Sequence, residues 1–272
     1  MRAIEAKFRD LENRNEGALI GYVTCGYPTV EYTLEVVDAL INGGIDMLEL
    51  GIPFSDPIAD GPVIQRATLR ALKSGMKPRG VLELAGRIAM KYSIPVLILT
   101  YYNIIYRMGL EKFFSFAKKN RVSGVIVPDL PVEEASEYKV TADKYNIDTI
   151  FLAAPSTSNE RLKRIAEYSS GFLYLVSVFG VTGARDKLRE ESIRFIKRAL
   201  SIAVGKTRLA VGFGISKPEH VRSIISTGVD GVIVGSKFIE VIERNLNNRD
   251  RMLMKLRETA RKLKKATIKL SN

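Results

Sequence analysis

Two carboxylates, Glu49 and Asp60, stand eleven residues apart in the segment LELGIPFSDPIADG, residues 48–61. Glu49 interrupts an apolar run. A carboxylate in a buried strand is costly unless it is paired or used. Strand alternation turns it inward, near the carboxyl end of its strand. Asp60 lies in a loop shaped by Pro53 and Pro57 and bounded by Gly51 and Gly61. Two carboxyl groups in unlike surroundings suit general acid–base chemistry. The same residues admit a structural alternative, with Glu49 in an ion pair and Asp60 capping a helix that starts at Pro62.

The second half of the chain adds three glycine-rich turns. They are SVFGVTGAR, with Gly180 and Gly183 around Thr182; VGFGIS, with Gly212, Phe213 and Gly214; and VGS, ending in Gly235-Ser236 ahead of a helix. Glycine lets backbone N–H groups approach an anion, and a helix N-terminus favours negative charge. Together they read as a phosphate cradle, although glycines also simply turn chains.

Much chemistry is excluded. The chain has one histidine, His220, and one cysteine, Cys25, so multi-ligand zinc sites and internal disulfides cannot form. No metal is expected. Cys25 reads as packing and His220 as a surface or packing residue. No strand run ends in Lys, which disfavours a Schiff-base aldolase. The turn after the first strand is TCGYP, not a dinucleotide fingerprint. Carboxylate proton transfer on a phosphorylated small molecule remains.

The elements that must position these groups recur in a pattern. Apolar, β-branched runs fall at Ala18–Thr24, Asp46–Gly51, Pro95–Thr100, Gly124–Pro128, Asp148–Ala153, Phe172–Ser177, Arg208–Gly212 and Gly231–Gly235. Such unbroken runs indicate parallel strands buried on both faces. Helical spacing separates them, at Tyr32–Ile41, Val81–Tyr92, Leu110–Lys119, Arg161–Tyr168, Ile193–Leu200 and Pro218–Thr227. Eight such repeats predict an α/β fold, a (β/α)8 TIM barrel, with a doubly wound open sheet as the alternative. No linker divides residues 1–272, so one barrel domain is expected. Barrel chemistry sits at the carboxyl ends of the strands. Tyr101, Tyr102 and Asn103 after strand 3, Asp129 after strand 4 and Tyr174 within strand 6 are further pocket candidates.

Two helices lie outside the repeat. Ile4, Phe8 and Leu11 form an apolar stripe expected to pack under the barrel. Met252, Leu256, Ala260, Leu263 and Thr267 form another, on a basic amphipathic helix whose charges are expected to face solvent. The formal net charge is +12. Residues 244–272 hold ten Lys/Arg against two acids, so the body is only mildly basic. A solvated charged face is expected there rather than a nucleic-acid site. No apolar run is long enough for a membrane span, and the N-terminus has no apolar signal core, which points to the cytoplasm.

The segment LELGIPFSDPIADGPVIQ closely resembles the signature of the tryptophan synthase alpha chain family. GYVTCGYPT, LTYYN, GVIVPDLPVEE, AAPSTS, YLVSVFGVTGAR, VGFGIS and VIVGS follow in that family's order. The resemblance implies retro-aldol cleavage of indole-3-glycerol phosphate to indole and glyceraldehyde 3-phosphate. It also implies a beta-chain partner, as an alpha2-beta2 heterotetramer. Pyridoxal phosphate is expected only in that partner and no cofactor in this chain. By resemblance, Glu49 is the general acid–base, Asp60 holds the indole N–H, and Tyr174 is the nearby tyrosine. Gly183, Gly212, Gly214, Gly235 and Ser236 would hold the phosphate. Tyr22, Thr24, Leu99, Tyr101, Phe213 and Ile233 would line the pocket, and Thr182 would sit in a mobile loop. Phe179 stands where the family commonly has a smaller or polar residue, which bears on loop closure. The basic C-terminal helix is heavier than the family usually shows. Two other readings compete: another phosphate-binding barrel isomerase or synthase, and a non-catalytic regulatory barrel that binds a phosphorylated ligand.

Overall fold

The computed structural model describes residues 1–176, 190–212 and 214–269. Nine parallel strand segments form one sheet. They are β1 (Ala18–Thr24), β2 (Met47–Gly51), β3 (Val96–Leu99), β4 (Gly124–Ile126), β5 (Asp148–Ile150), β6 (Leu152–Ala153), β7 (Phe172–Val176), β8 (Arg208–Gly212) and β9 (Gly231–Val234). Their order is β5-β4-β3-β2-β1-β9-β8-β7-β6. β5 and β6 are separated only by Phe151, so the predicted fifth run is one strand bent at that residue. β5 pairs with β4, and β6 pairs with β7. The Tyr174 N–H donates to the Phe151 carbonyl at 3.0 Å, bridging the bend and closing the ring. The result is an eight-stranded (β/α)8 barrel rather than an open sheet.

Twelve α-helices occur among the described residues. α1 (Ala3–Asn13) precedes the barrel and α12 (Arg249–Lys265) follows it. Helices between strands include α2 (Val30–Asn42), α3 (Pro62–Lys73), α4 (Pro78–Lys91), α5 (Tyr102–Met108), α6 (Leu110–Lys119), α7 (Ser136–Lys144), α8 (Asn159–Tyr168), α9 (Glu190–Ala203), α10 (Pro218–Ile225) and α11 (Ser236–Glu243). α3 begins one residue after Gly61, and so the Asp60 loop runs from the end of β2 straight into a helix.

The barrel interior follows period-two alternation. Ala18, Ile20, Met47, Leu97, Ile126, Ile150, Phe172, Ala210 and Ile233 form one buried cluster with Ile4, Phe8 and Leu11 of α1. α1 therefore plugs the amino end of the barrel, as its stripe predicts. Phe8 meets Phe172 edge-on, with ring centroids 6.1 Å apart. The larger cluster lies between strands and outer helices. α12 buries Met252, Leu256, Ala260 and Leu263, and packs on α2. Burying each long apolar side chain there contributes roughly 1.5–3 kcal/mol. Its charges do not all face solvent. Lys264 reaches inward to Asp46 and Glu16, both at 2.8 Å, and Arg249 forks onto Glu35. No helix among the described residues is long and apolar enough to cross a membrane.

Candidate active site

The inward positions one step above the aliphatic layer change character. Two residues beyond Ile20, Met47, Leu97 and Phe172 come Tyr22, Glu49, Leu99 and Tyr174. Register places Tyr22 beside Glu49, Glu49 beside Leu97, and Leu152 beside Tyr174. With Asp60, they line a cavity of about 180 Å³ at the carboxyl end of the barrel. Pro128, Leu152, Ile233 and Ile64 supply apolar wall. Gly214, Ile215, Ser216, Gly235, Ser236, Lys237 and Glu240 form the side that faces the last two strands.

Glu49 is 1% exposed, and its Oε2 has no hydrogen-bond partner. Among the described residues no cation pairs with it, which counts against the ion-pair alternative. Burial, with the Asp60 carboxylate adding to it, pushes the Glu49 carboxyl up to about 8. Asp60 is raised to about 6 by burial, opposed by a hydrogen bond from the Tyr101 hydroxyl. The helix-cap alternative fails. Gly61 occupies the N-cap of α3, and no side chain caps it. At neutral pH Glu49 holds a proton while Asp60 is ionised. This is a poised acid beside a fixed anion.

Supporting groups fix this pair. The Tyr101 hydroxyl also accepts from the Ala59 N–H at 3.1 Å, and its ring stacks on Phe54. Tyr101 thus braces the Asp60 loop from behind and does not line the cavity. Thr24 is likewise behind the wall, its Oγ1 donating to the Tyr22 hydroxyl at 3.2 Å. Gly212 does not line the cavity either. A Cβ there would collide with the Tyr174 hydroxyl, as one on Gly51 would with that of Tyr22. Those two glycines make room for the two tyrosines. Gly214 has a φ of +76°, a left-handed conformation that turns the chain at the cavity wall.

Gly235 and Ser236 stand at the start of α11, where a helix N-terminus meets the cavity. Thr182, Gly183 and Phe213, expected in the loop, the phosphate set and the pocket, lie outside the described residues, as does Phe179. Of the weaker candidates, Tyr174 lines the cavity. Tyr102, Asn103 and Asp129 do not; Asp129 accepts from the Tyr102 N–H at the start of α5. Cys25 is fully buried, and burial pushes its thiol up, as packing predicts. His220 is buried rather than at the surface, and its Nδ1 accepts from the Ser216 N–H at 3.3 Å. It fastens the turn after β8. Among the described residues no group of His, Cys, Asp and Glu could hold a metal.

The sequence reading missed Ser216, Lys237 and Glu240. Helix spacing could have found the last two, since residues 237 and 240 are one turn apart at the start of α11. It also missed Leu152 and Pro128, which period-two alternation carries upward from Ile150 and Ile126.

Residues 8–268 match the family model described as tryptophan synthase alpha chain. The tryptophan synthase alpha chain of Methanothermobacter thermautotrophicus is 48% identical over 260 residues, covering 95% of this chain and 96% of that one. That of Methanoregula boonei is 45% identical, covering 98% of each chain. Among solved structures, a chain of the Pyrococcus furiosus tryptophan synthase α2β2 complex superposes with a TM-score of 0.85 at 42% identity, covering 92% of this chain and 98% of that one. A chain from Aquifex aeolicus gives 0.88 at 37% identity, covering 98% and 99%.

Proposed function

The chain belongs to the tryptophan synthase alpha chain family, and on that premise we propose that it is a lyase that cleaves indole-3-glycerol phosphate to indole and glyceraldehyde 3-phosphate. The observation that carries this reading is a buried Glu49, its carboxyl pushed up by burial, sharing a cavity with Asp60.

The bond between indole C3 and the glycerol side chain breaks with its electrons returning to the ring. C3 must therefore be protonated first, and Glu49 supplies that proton. The ring then carries positive charge, which the Asp60 carboxylate stabilises while it accepts the indole N–H. Glu49, now ionised, takes the proton of the adjacent glycerol hydroxyl. The carbon–carbon bond cleaves, C3 keeps the electron pair and the hydroxyl carbon becomes the aldehyde. Tyr174 packs beside Glu49, with Tyr22, Leu99 and Ile233 as walls for the indole. Gly214, Gly235 and Ser236 form the phosphate side; Gly183 and Thr182, which the resemblance assigns to the phosphate set and to a mobile loop, lie outside the described residues.

Indole passes to a beta chain, in an alpha2-beta2 assembly, for L-tryptophan synthesis. We assign pyridoxal phosphate to that partner and no cofactor to this chain, which acts as a single domain in the cytoplasm. The test is to incubate the purified chain with indole-3-glycerol phosphate and measure indole, with and without a beta chain. Indole is expected in both, faster with the partner; none in either overturns the reading.

A further inference from the structure

The charge inside the cavity is unbalanced. Among the described residues three acidic side chains line it, Glu49 with its proton and the carboxylates of Asp60 and Glu240, against one cation, Lys237. A phosphate monoester brings a charge near −2 into that space. Backbone N–H groups and one helix N-terminus offset only part of it. Lys237 sits one residue beyond the Gly235-Ser236 turn, on the wall it shares with Gly214 and Ser216.

Lys237 is held by an ion pair built to let go. Its Nζ lies 3.6 Å from Glu240 Oε2, a long contact between side chains 25% and 35% exposed. Such pairs contribute little. Glu240 has a second cation on its other side, Arg244, whose Nη2 lies 4.0 Å from the same oxygen. If the lysine leaves, Glu240 still has Arg244. A lysine ammonium on a flexible stem suits that exchange, since it binds phosphate as a point charge.

We infer that Lys237 is a phosphate-binding residue of this site, resting on Glu240 when the cavity is empty and moving to the ligand's phosphate when it fills. Glu240, kept by Arg244, is then the gate on affinity, since it competes with the phosphate for the ammonium. The inference rests on the proposed phosphorylated substrate, but its test needs no turnover.

Inorganic phosphate and glycerol 3-phosphate are titrated into the full chain by calorimetry. Lys237→Met is expected to weaken both about tenfold, the loss of one charge-assisted contact. Lys237→Arg, which keeps the cation, recovers most of it. Glu240→Gln tightens both, by roughly twofold to fivefold. Lys262→Met, which removes the same charge from the outer face of α12, changes neither. With indole-3-glycerol phosphate, the Lys237→Met loss falls in KM rather than kcat. Binding by Lys237→Met within twofold of the parent overturns the inference, as does a parent chain that binds neither ligand. A parent that binds phosphate through Lys237 yet releases no indole overturns the lyase reading instead.

Discussion

The floor and the mouth of this barrel both bury carboxylates, and they treat them in opposite ways. At the floor each has a cation. Asp148, 1% exposed, accepts from Arg2 at 2.8 Å. Asp46 accepts from Lys264 and from the Leu19 N–H, both at 2.8 Å. Asp230 accepts from Arg208 at 3.1 Å and from the Leu209 N–H at 2.8 Å. At the mouth, among the described residues, Glu49 has no such cation and Asp60 has a tyrosine hydroxyl. Desolvation acts on both ends. Pairing at the floor gives each carboxylate a cation and ties α1 and α12 to the strand starts. The unpaired acid at the mouth keeps its proton at neutral pH and can give it up. Stability and chemistry are thus segregated along the barrel axis.

The largest effect should come from removing the unpaired acid. Glu49→Gln keeps the shape and loses the transferable proton, so indole release should fall by roughly 10³- to 10⁴-fold, measured against bound glycerol 3-phosphate as a folding control. Turnover near the parent's would remove Glu49 from the mechanism. The same variant should be more stable than the parent. Glu49 sits near 8 when folded against an ordinary value of 4.5. The folded state is therefore favoured below pH 4.5 and loses that advantage as the pH rises to 8. Gln has no such loss. Its gain in unfolding free energy should be on the order of a few kcal/mol at pH 8, shrinking to nothing below pH 4.5, as read from urea midpoints at the two pH values.

At the floor the same kind of cut should do the reverse. Arg2→Met strands Asp148 and takes the donor from Asp143, Asn146 and Ser170 as well. Stability in urea should drop by about 3 kcal/mol, with kcat per folded molecule unchanged. Adding Asp148→Asn should return part of the loss. A floor variant that lowered kcat and left the urea midpoint alone would break the division between the two ends.

Asp60→Asn tests the second mouth carboxylate and should cost roughly 10²-fold in kcat/KM. The parent's kcat/KM should trace a bell. Activity needs Asp60 ionised, so it rises as the pH passes about 6, and it needs Glu49 protonated, so it falls as the pH passes about 8. The two limbs belong to the interacting pair. In the Asn variant the acid limb should disappear from the residual rate; an intact limb near 6 would assign it to another group.

What was legible in the sequence follows the same axis. β1 and β8 run from Ala18 to Thr24 and from Arg208 to Gly212, as their unbroken apolar runs predict. The mouth residues were legible because alternation fixes which side chains point inward and because a Glu in such a run stands out. The break at Phe151 was hidden, since the run stays apolar and ring closure alone imposes the bend. The floor pairs were hidden because their partners lie far apart in the chain, 146 residues for Arg2 and Asp148 and 218 for Lys264 and Asp46. Thr24, Tyr101 and Gly212 were assigned to the right neighbourhood but one layer too far forward. Spacing tells which face a residue takes, not whether a neighbour's ring stands before it.

The smallest effect separates a brace from a wall. Tyr101→Phe keeps the stack on Phe54 and deletes the hydroxyl shared by the Ala59 N–H and Asp60. If Tyr101 only filled space, the change would pass unnoticed. As a brace, its hydroxyl favours the ionised form of Asp60, so losing it must raise that carboxyl. One hydrogen bond is worth about 0.5–1.5 kcal/mol. Turnover should therefore fall by roughly threefold to tenfold, and the acid limb should move upward by about half a unit to one unit. The basic limb, set by Glu49, should stay in place. A fall in rate with both limbs unmoved would mean that Tyr101 shapes the loop but does not hold the charge of Asp60.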